Sequence, residues 1–132
     1  MTELIAWLRA TIEGDLAKAR DVVQPDDQWY TARDLFEEAP CVDWDEGEFL
    51  TLYTPGVVIA RCEAELAEID AIMAMPHYAW DGRSEYGCPM LDPDAYAGPV
   101  CTCGRDAIVN RLLRIKASGY RHRPGWQEGW AP

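Results

Sequence analysis

Nowhere in its 132 residues does the chain hold an apolar run approaching the ~18–20 needed to span a bilayer, so no transmembrane helix is expected. The opening Met1-Thr2-Glu3-Leu4 lacks a basic region, and a secretory signal is not expected either. Histidines number two, which leaves little material for imidazole catalysis. There is no P-loop, no G-x-G-x-x-G, no G-x-S-x-G, no H-E-x-x-H and no H-x-E…C-x-x-C. Internal repeats and low-complexity segments are also missing. Basic residues are scarce, 12 against 23 acidic, giving a net charge of −11. A phosphate backbone would be repelled by most such surfaces, so nucleic acid is not an expected partner, and neither is a membrane. The five cysteines are an odd number, and without an export signal a disulfide framework is a poor first expectation.

What is present suffices for a core. Hydrophobic residues make up 48% of the chain, and the length fits a single domain over 1–132 in the cytoplasm. The charge is segregated. Residues 1–75 carry a net −12 and residues 76–132 a net +1, while the segment from Gly104 onward carries +4. One reading is solubility and pairing between the halves. The sharper reading is an acidic face that docks on a basic protein partner.

Residues 2–20 predict an amphipathic helix. Thr2 is placed to cap it, Glu3 suits its first turn, and Leu4, Leu8, Ile12 and Leu16 recur every four residues, with Ile5 and Trp7 alongside. Residues 28–53 hold strand-like content at Trp29-Tyr30-Thr31, Cys41-Val42-Asp43-Trp44 and Phe49-Leu50-Thr51-Leu52-Tyr53. The turn Asp45-Glu46-Gly47-Glu48 between the last two predicts a short hairpin, with Cys41 inside a strand. Residues 55–75 predict a second helix, with Thr54 as N-cap and Pro55 at the first helical position. Its apolar face is Val58, Cys62, Leu66, Ile69 and Met73, with Ile59 and Ile72 beside it, and Cys62 is expected in the core. Glu63, Glu65, Glu68 and Asp70 lie opposite and form the candidate partner-binding face, to which Asp43, Asp45, Glu46 and Glu48 would add. Residues 105–117, with Ile108, Val109, Leu112, Leu113 and Ile115, predict the last helix, stopped at Gly119. The tail 118–132 is aromatic and basic. Its Trp126 and Trp130 are expected to pack on the helices rather than form a ligand box.

Between the last two helices lies a loop, 76–104, with no periodicity. A loop of that length in a small domain needs something to tie it down. It contains His77, Cys88, Cys101 and Cys103. Three thiolates and an imidazole complete a tetrahedral set for zinc, and Cys101-Thr102-Cys103-Gly104 resembles a tight ligand knuckle. His77 follows one helix and Cys103 precedes the next, so a metal would staple the two ends together. Free thiols, or a disulfide, are the alternatives, and His122 or Asp81 could replace one ligand. The expected fold is mainly α: three helices, a short β-hairpin and a zinc-stapled loop.

The stretch Thr54-Pro55-Gly56-Val57-Val58 through Arg61-Cys62-Glu63-Ala64-Glu65-Leu66, then His77, the cysteine loop, a short helix and Tyr120-Arg121-His122-Arg123-Pro124-Gly125-Trp126-Gln127-Glu128-Gly129-Trp130, resembles an uncharacterised family of small proteins from actinobacteria and their phages. Leu4, Trp7, Leu8 and Arg9 resemble that family's start. The chain departs from its pattern in having C-x-C, in the order of its cysteine elements, and in Thr54-Pro55 where Asp-Pro is frequent. The resemblance implies that origin and supports zinc, and it supplies no activity. A closed four-ligand site without a catalytic set points away from an enzyme. The expected function is a non-enzymatic, zinc-stabilised interaction module, a phage accessory protein acting on a host protein in the host cytoplasm. A small zinc-dependent hydrolase or transferase and an acidic mimic of nucleic acid are the competing readings.

Overall fold

The computed structural model describes residues 1–22, 53–77, 88 and 101–132. Helix α1 spans Thr2–Val22, α2 spans Pro55–Met73 and α3 spans Arg105–Ser118, followed by a single 3-10 turn at Glu128–Trp130. The described residues are thus mainly helical and contain no strand. The hairpin expected over 28–53 falls, apart from Tyr53, outside the described residues and finds no support among them. Cys41, Asp43, Asp45, Glu46 and Glu48 lie outside them as well.

The chain divides into two compact units, one of Met1–Leu8 with Glu68–Pro132, the other Arg9–Ala67. In the second, Ile12, Leu16, Ala19 and Cys62 are buried. Full burial of a Leu or Ile side chain contributes about 1.5–3 kcal/mol, and the four-residue spacing along α1 delivers such side chains to one face. Burial raises the Cys62 thiol pKa, with Glu65 adding to the rise.

In the first unit the core is Leu4, Leu8, Ile69, Ile72, Cys88, Val109, Leu113, Ala117 and Trp130. One expectation is corrected here. On α2, Met73 is exposed, while Ile72, expected beside that face, is buried. On α3, Ile108, Leu112 and Ile115 stand 50%, 37% and 49% exposed, and the inward face is Val109, Leu113 and Ala117 at i, i+4 and i+8. The large apolar residues of α3 spread over a wider arc than the stripe that meets its neighbours, so only part of them is buried.

Helix ends differ from expectation too. Thr54 immediately precedes α2, but its buried hydroxyl finds no hydrogen-bond partner among the described residues, and its carbonyl accepts from Val58 N–H at 2.9 Å. Gly119 ends α3 with φ −63, a right-handed conformation rather than the left-handed stop. The chain continues in tightening turns, with Tyr120 N–H on the Ala117 carbonyl at 2.9 Å and Arg123 N–H on Tyr120 at 2.8 Å.

Those turns lead the tail back over its own unit. Arg114 Nη1 donates to the Gly129 and Ala131 carbonyls at 2.8 and 3.0 Å. Trp7 Nε1 donates to the Pro124 carbonyl at 3.0 Å. The rings of Trp7, Trp126 and Trp130 pack together, with centroids 5.0–5.9 Å apart. At those separations the rings fill the space between them, so this is packing and not a ligand box. Gly125 permits it. Its φ is +86, and a Cβ there would lie 2.9 Å from Trp7 Nε1.

Candidate metal centre

Helix α2 ends because Pro76 cannot extend it. Two backbone bonds close the last turn, Ala74 N–H to Asp70 at 2.9 Å and Met75 N–H to Ile72 at 3.3 Å. His77 follows directly. On the far side, Gly104 sits at φ +79 as the N-cap of α3, a left-handed conformation that glycine adopts without steric cost. That turn places Cys101 and Cys103 beside the first turn of α3, where helix-dipole charge favours thiolates.

The four residues expected from sequence converge. One ligand atom from each of His77, Cys88, Cys101 and Cys103 lies within 4.8 Å of the other three. His77 Nδ1 is 3.5 Å from Cys88 Sγ, 3.5 Å from Cys101 Sγ and 3.6 Å from Cys103 Sγ. The Cys101 and Cys103 sulfurs are 3.5 Å apart. A zinc tetrahedron with ordinary bond lengths has edges of about 3.6 Å from nitrogen to sulfur and about 3.8 Å between sulfurs. The donor set and its spacing therefore fit a tetrahedral metal. The four cysteines among the described residues, Cys62, Cys88, Cys101 and Cys103, are free thiols, so no disulfide forms there. Cys88 is buried, and the other three ligand residues are partly exposed.

Crowding marks the electrostatics. The Asp106 backbone pulls the Cys101 thiol pKa down, but burial and the neighbouring Cys103 and Cys88 sulfurs outweigh it and the thiol lies above its ordinary value. The Cys103 side chain pushes the His77 pKa up against burial, with Cys88 and Asp106 adding to the rise. Thiolates this close repel one another, and a divalent cation is what allows them to ionise together.

Two residues that the sequence reading did not single out complete the surroundings. Asp106 Oδ1 lies 3.8 Å from His77 Nε2, on the ring edge away from the thiols. Arg105 Nη1 donates to the same Asp106 oxygen at 2.9 Å. The Arg105 guanidinium also donates to the carbonyls of Met75, at 2.8 Å from Nε, and Met73, which would otherwise be open acceptors at the end of α2. The one available signal was position, an Arg-Asp pair directly after C-x-C-Gly at a helix start. Of the two substitute ligands, His122 is exposed on the turns after α3 and is not in the cluster, and Asp81 lies outside the described residues.

The acidic face of α2 is engaged within the chain. Glu63 accepts from Arg20 Nη2 at 2.8 Å, and Glu68 accepts from Lys116 Nζ at 2.5 Å. Neither Glu65 nor Asp70 stands without an interaction.

A family model described as a family of unknown function, DUF6221, matches residues 1–132. The chain belongs to this family. No curated protein and no solved structure matches it. Membership in DUF6221 brings no assigned activity, so the chemistry of this DUF6221 chain rests on the cluster itself. No helix among the described residues is long and apolar enough to cross a membrane.

Proposed function

We propose that this protein is a non-enzymatic interaction module whose C-terminal fold is held by one structural zinc, bound by His77, Cys88, Cys101 and Cys103. The observation that carries this reading is the set of nitrogen-to-sulfur distances of 3.5–3.6 Å around His77 Nδ1. Zinc is favoured over other metals because three thiolates and an imidazole are its ordinary structural donors. With all four positions taken by side chains, no coordination site is left for a substrate or water, which supports a structural rather than a hydrolytic role. The test is elemental analysis of protein purified without a histidine tag. One zinc per chain is expected; a content near zero with all thiols freely titratable overturns the reading.

The partner is a basic protein, met by Glu63, Glu65, Glu68 and Asp70 on α2. Pairing does not remove these charges from use: the Arg20–Glu63 pair is exposed on both sides, where an ion pair contributes only about 0–1 kcal/mol, and Glu68 stays 58% exposed beside the largely covered Lys116. The loose resemblance to actinobacterial and phage proteins makes a host protein in the cytoplasm the partner of choice. Replacing Glu63, Glu65 and Glu68 with glutamine should leave folding nearly intact and weaken capture of that partner, most at low salt. Lost stability with unchanged capture would assign the face to internal pairing instead.

A further inference from the structure

We infer that Asp106 is the positioning residue of the metal centre: its carboxylate fixes the His77 ring so that Nδ1 faces the three thiols, and Arg105 holds that carboxylate in place. The inference rests on the reading of His77 and the cysteines as metal ligands.

An imidazole offers two nitrogens, and only one carrying a lone pair can bind a metal. The other must then carry the proton. Of the two tautomers, the one with hydrogen on Nε2 leaves Nδ1 free. A negative charge near Nε2 stabilises that tautomer and the ring orientation that goes with it. Asp106 Oδ1 supplies such a charge at 3.8 Å. This separation exceeds a direct hydrogen bond, so the carboxylate acts on the N–H by charge or through one bridging water. The same oxygen accepts from Arg105 Nη1 at 2.9 Å, and Arg105 is itself anchored on the Met75 carbonyl at 2.8 Å. The carboxylate is therefore held from behind by a side chain tied to the segment that carries His77. The competing account gives Asp106 only the ordinary task of a carboxylate in the first turn of a helix, where it complements the dipole of α3. That account leaves the His77 ring untouched.

The experiment compares the full-length chain with Asp106→Ala and Asp106→Glu. Zinc affinity is measured by competition with a chromogenic chelator, and the His77 ring nitrogens are followed by 15N NMR in the zinc-loaded protein. The wild type should show Nδ1 bound to metal and Nε2 protonated. Asp106→Ala should bind zinc ~10–100-fold more weakly and lose the single ring signature, and Asp106→Glu should recover part of both. If Asp106→Ala does not fold, Asp106→Asn, which keeps the side-chain shape and removes the charge, should show the same loss in smaller degree. An unchanged zinc affinity and ring signature in a folded variant overturns the positioning role while leaving the metal site standing. A wild type that binds no zinc overturns the metal reading itself, and the inference with it.

Discussion

Arg105 Nε donates to the Met75 carbonyl at 2.8 Å, thirty residues away along the chain. The side chain that opens α3 thereby closes the end of α2. Between these two residues lie all four proposed metal ligands, so hydrogen bonds join the end of α2 to the start of α3 beside the cluster.

The hydrogen bonds and the proposed metal should prove separable under chelation. Removing zinc should raise amide exchange at 73–77 and 101–107 by orders of magnitude, and leave the middle of α1 protected, because the buried stripe Ile12, Leu16 and Ala19 belongs to the other compact unit. Hydrogen exchange followed by mass spectrometry measures this. Uniform exchange in both units, or no change after confirmed metal loss, contradicts it.

Cys103→Ser should cost several kcal/mol, because it removes a ligand from a structural metal site. Urea denaturation with and without chelator checks the assignment. The variant should be no less stable than the chelated wild type, since both lack the same metal. A variant as stable as the zinc-loaded wild type excludes Cys103 from the site.

Gly125→Ala is expected to destabilise by about 1–3 kcal/mol, through the left-handed backbone and the contact of the new methyl with Trp7. Its near-UV circular dichroism should change at the tryptophan bands. Gly104→Ala, at φ +79 with nothing among the described residues within 4 Å of the added Cβ, should lose only the backbone part. Equal losses at the two positions would show that Trp7 does not constrain Gly125.

The Cys62 thiol gives a pH signature. Its folded-state pKa is raised, by burial first and Glu65 second. The neutral thiol's contribution is therefore fully present below the ordinary thiol pKa of about 8.5 and is lost as pH rises through the folded value. Cys62→Val should remove that part of the alkaline destabilisation, so the variant and the wild type should diverge between neutral and alkaline pH. Parallel stability curves across that range would mean that Cys62 ionises as freely in the folded protein as in the unfolded chain.

Residue type and spacing made part of this molecule legible in advance. The four-residue repeat of Leu4, Leu8, Ile12 and Leu16 admits one burial pattern only, and all four are buried. The convergence of His77, Cys88, Cys101 and Cys103 followed from donor chemistry in a stretch of sequence without hydrophobic periodicity. On α3 the sequence was ambiguous, because five large apolar residues crowd fourteen positions and the small Ala117, which completes the buried stripe, carries no hydrophobic signal of its own. Asp106 was illegible for a different reason. Its relation to His77 depends on a ring edge and a helix start meeting in space, which no local pattern encodes. At Thr54 the cap residue type marked the helix start correctly while its hydroxyl is buried and without a partner among the described residues.

The bond from Trp7 to the Pro124 carbonyl spans 117 positions, and synthesis runs in one direction. During translation the indole of Trp7 leaves the ribosome long before its covering residues do. Until Trp126 and Trp130 emerge, that ring and the neighbouring Leu4 and Leu8 have no native cover from the tail. Contacts of such separation form late and leave apolar surface open in the meantime. In the nascent chain residues 1–8 should therefore lack their native cover until residues 124–130 follow.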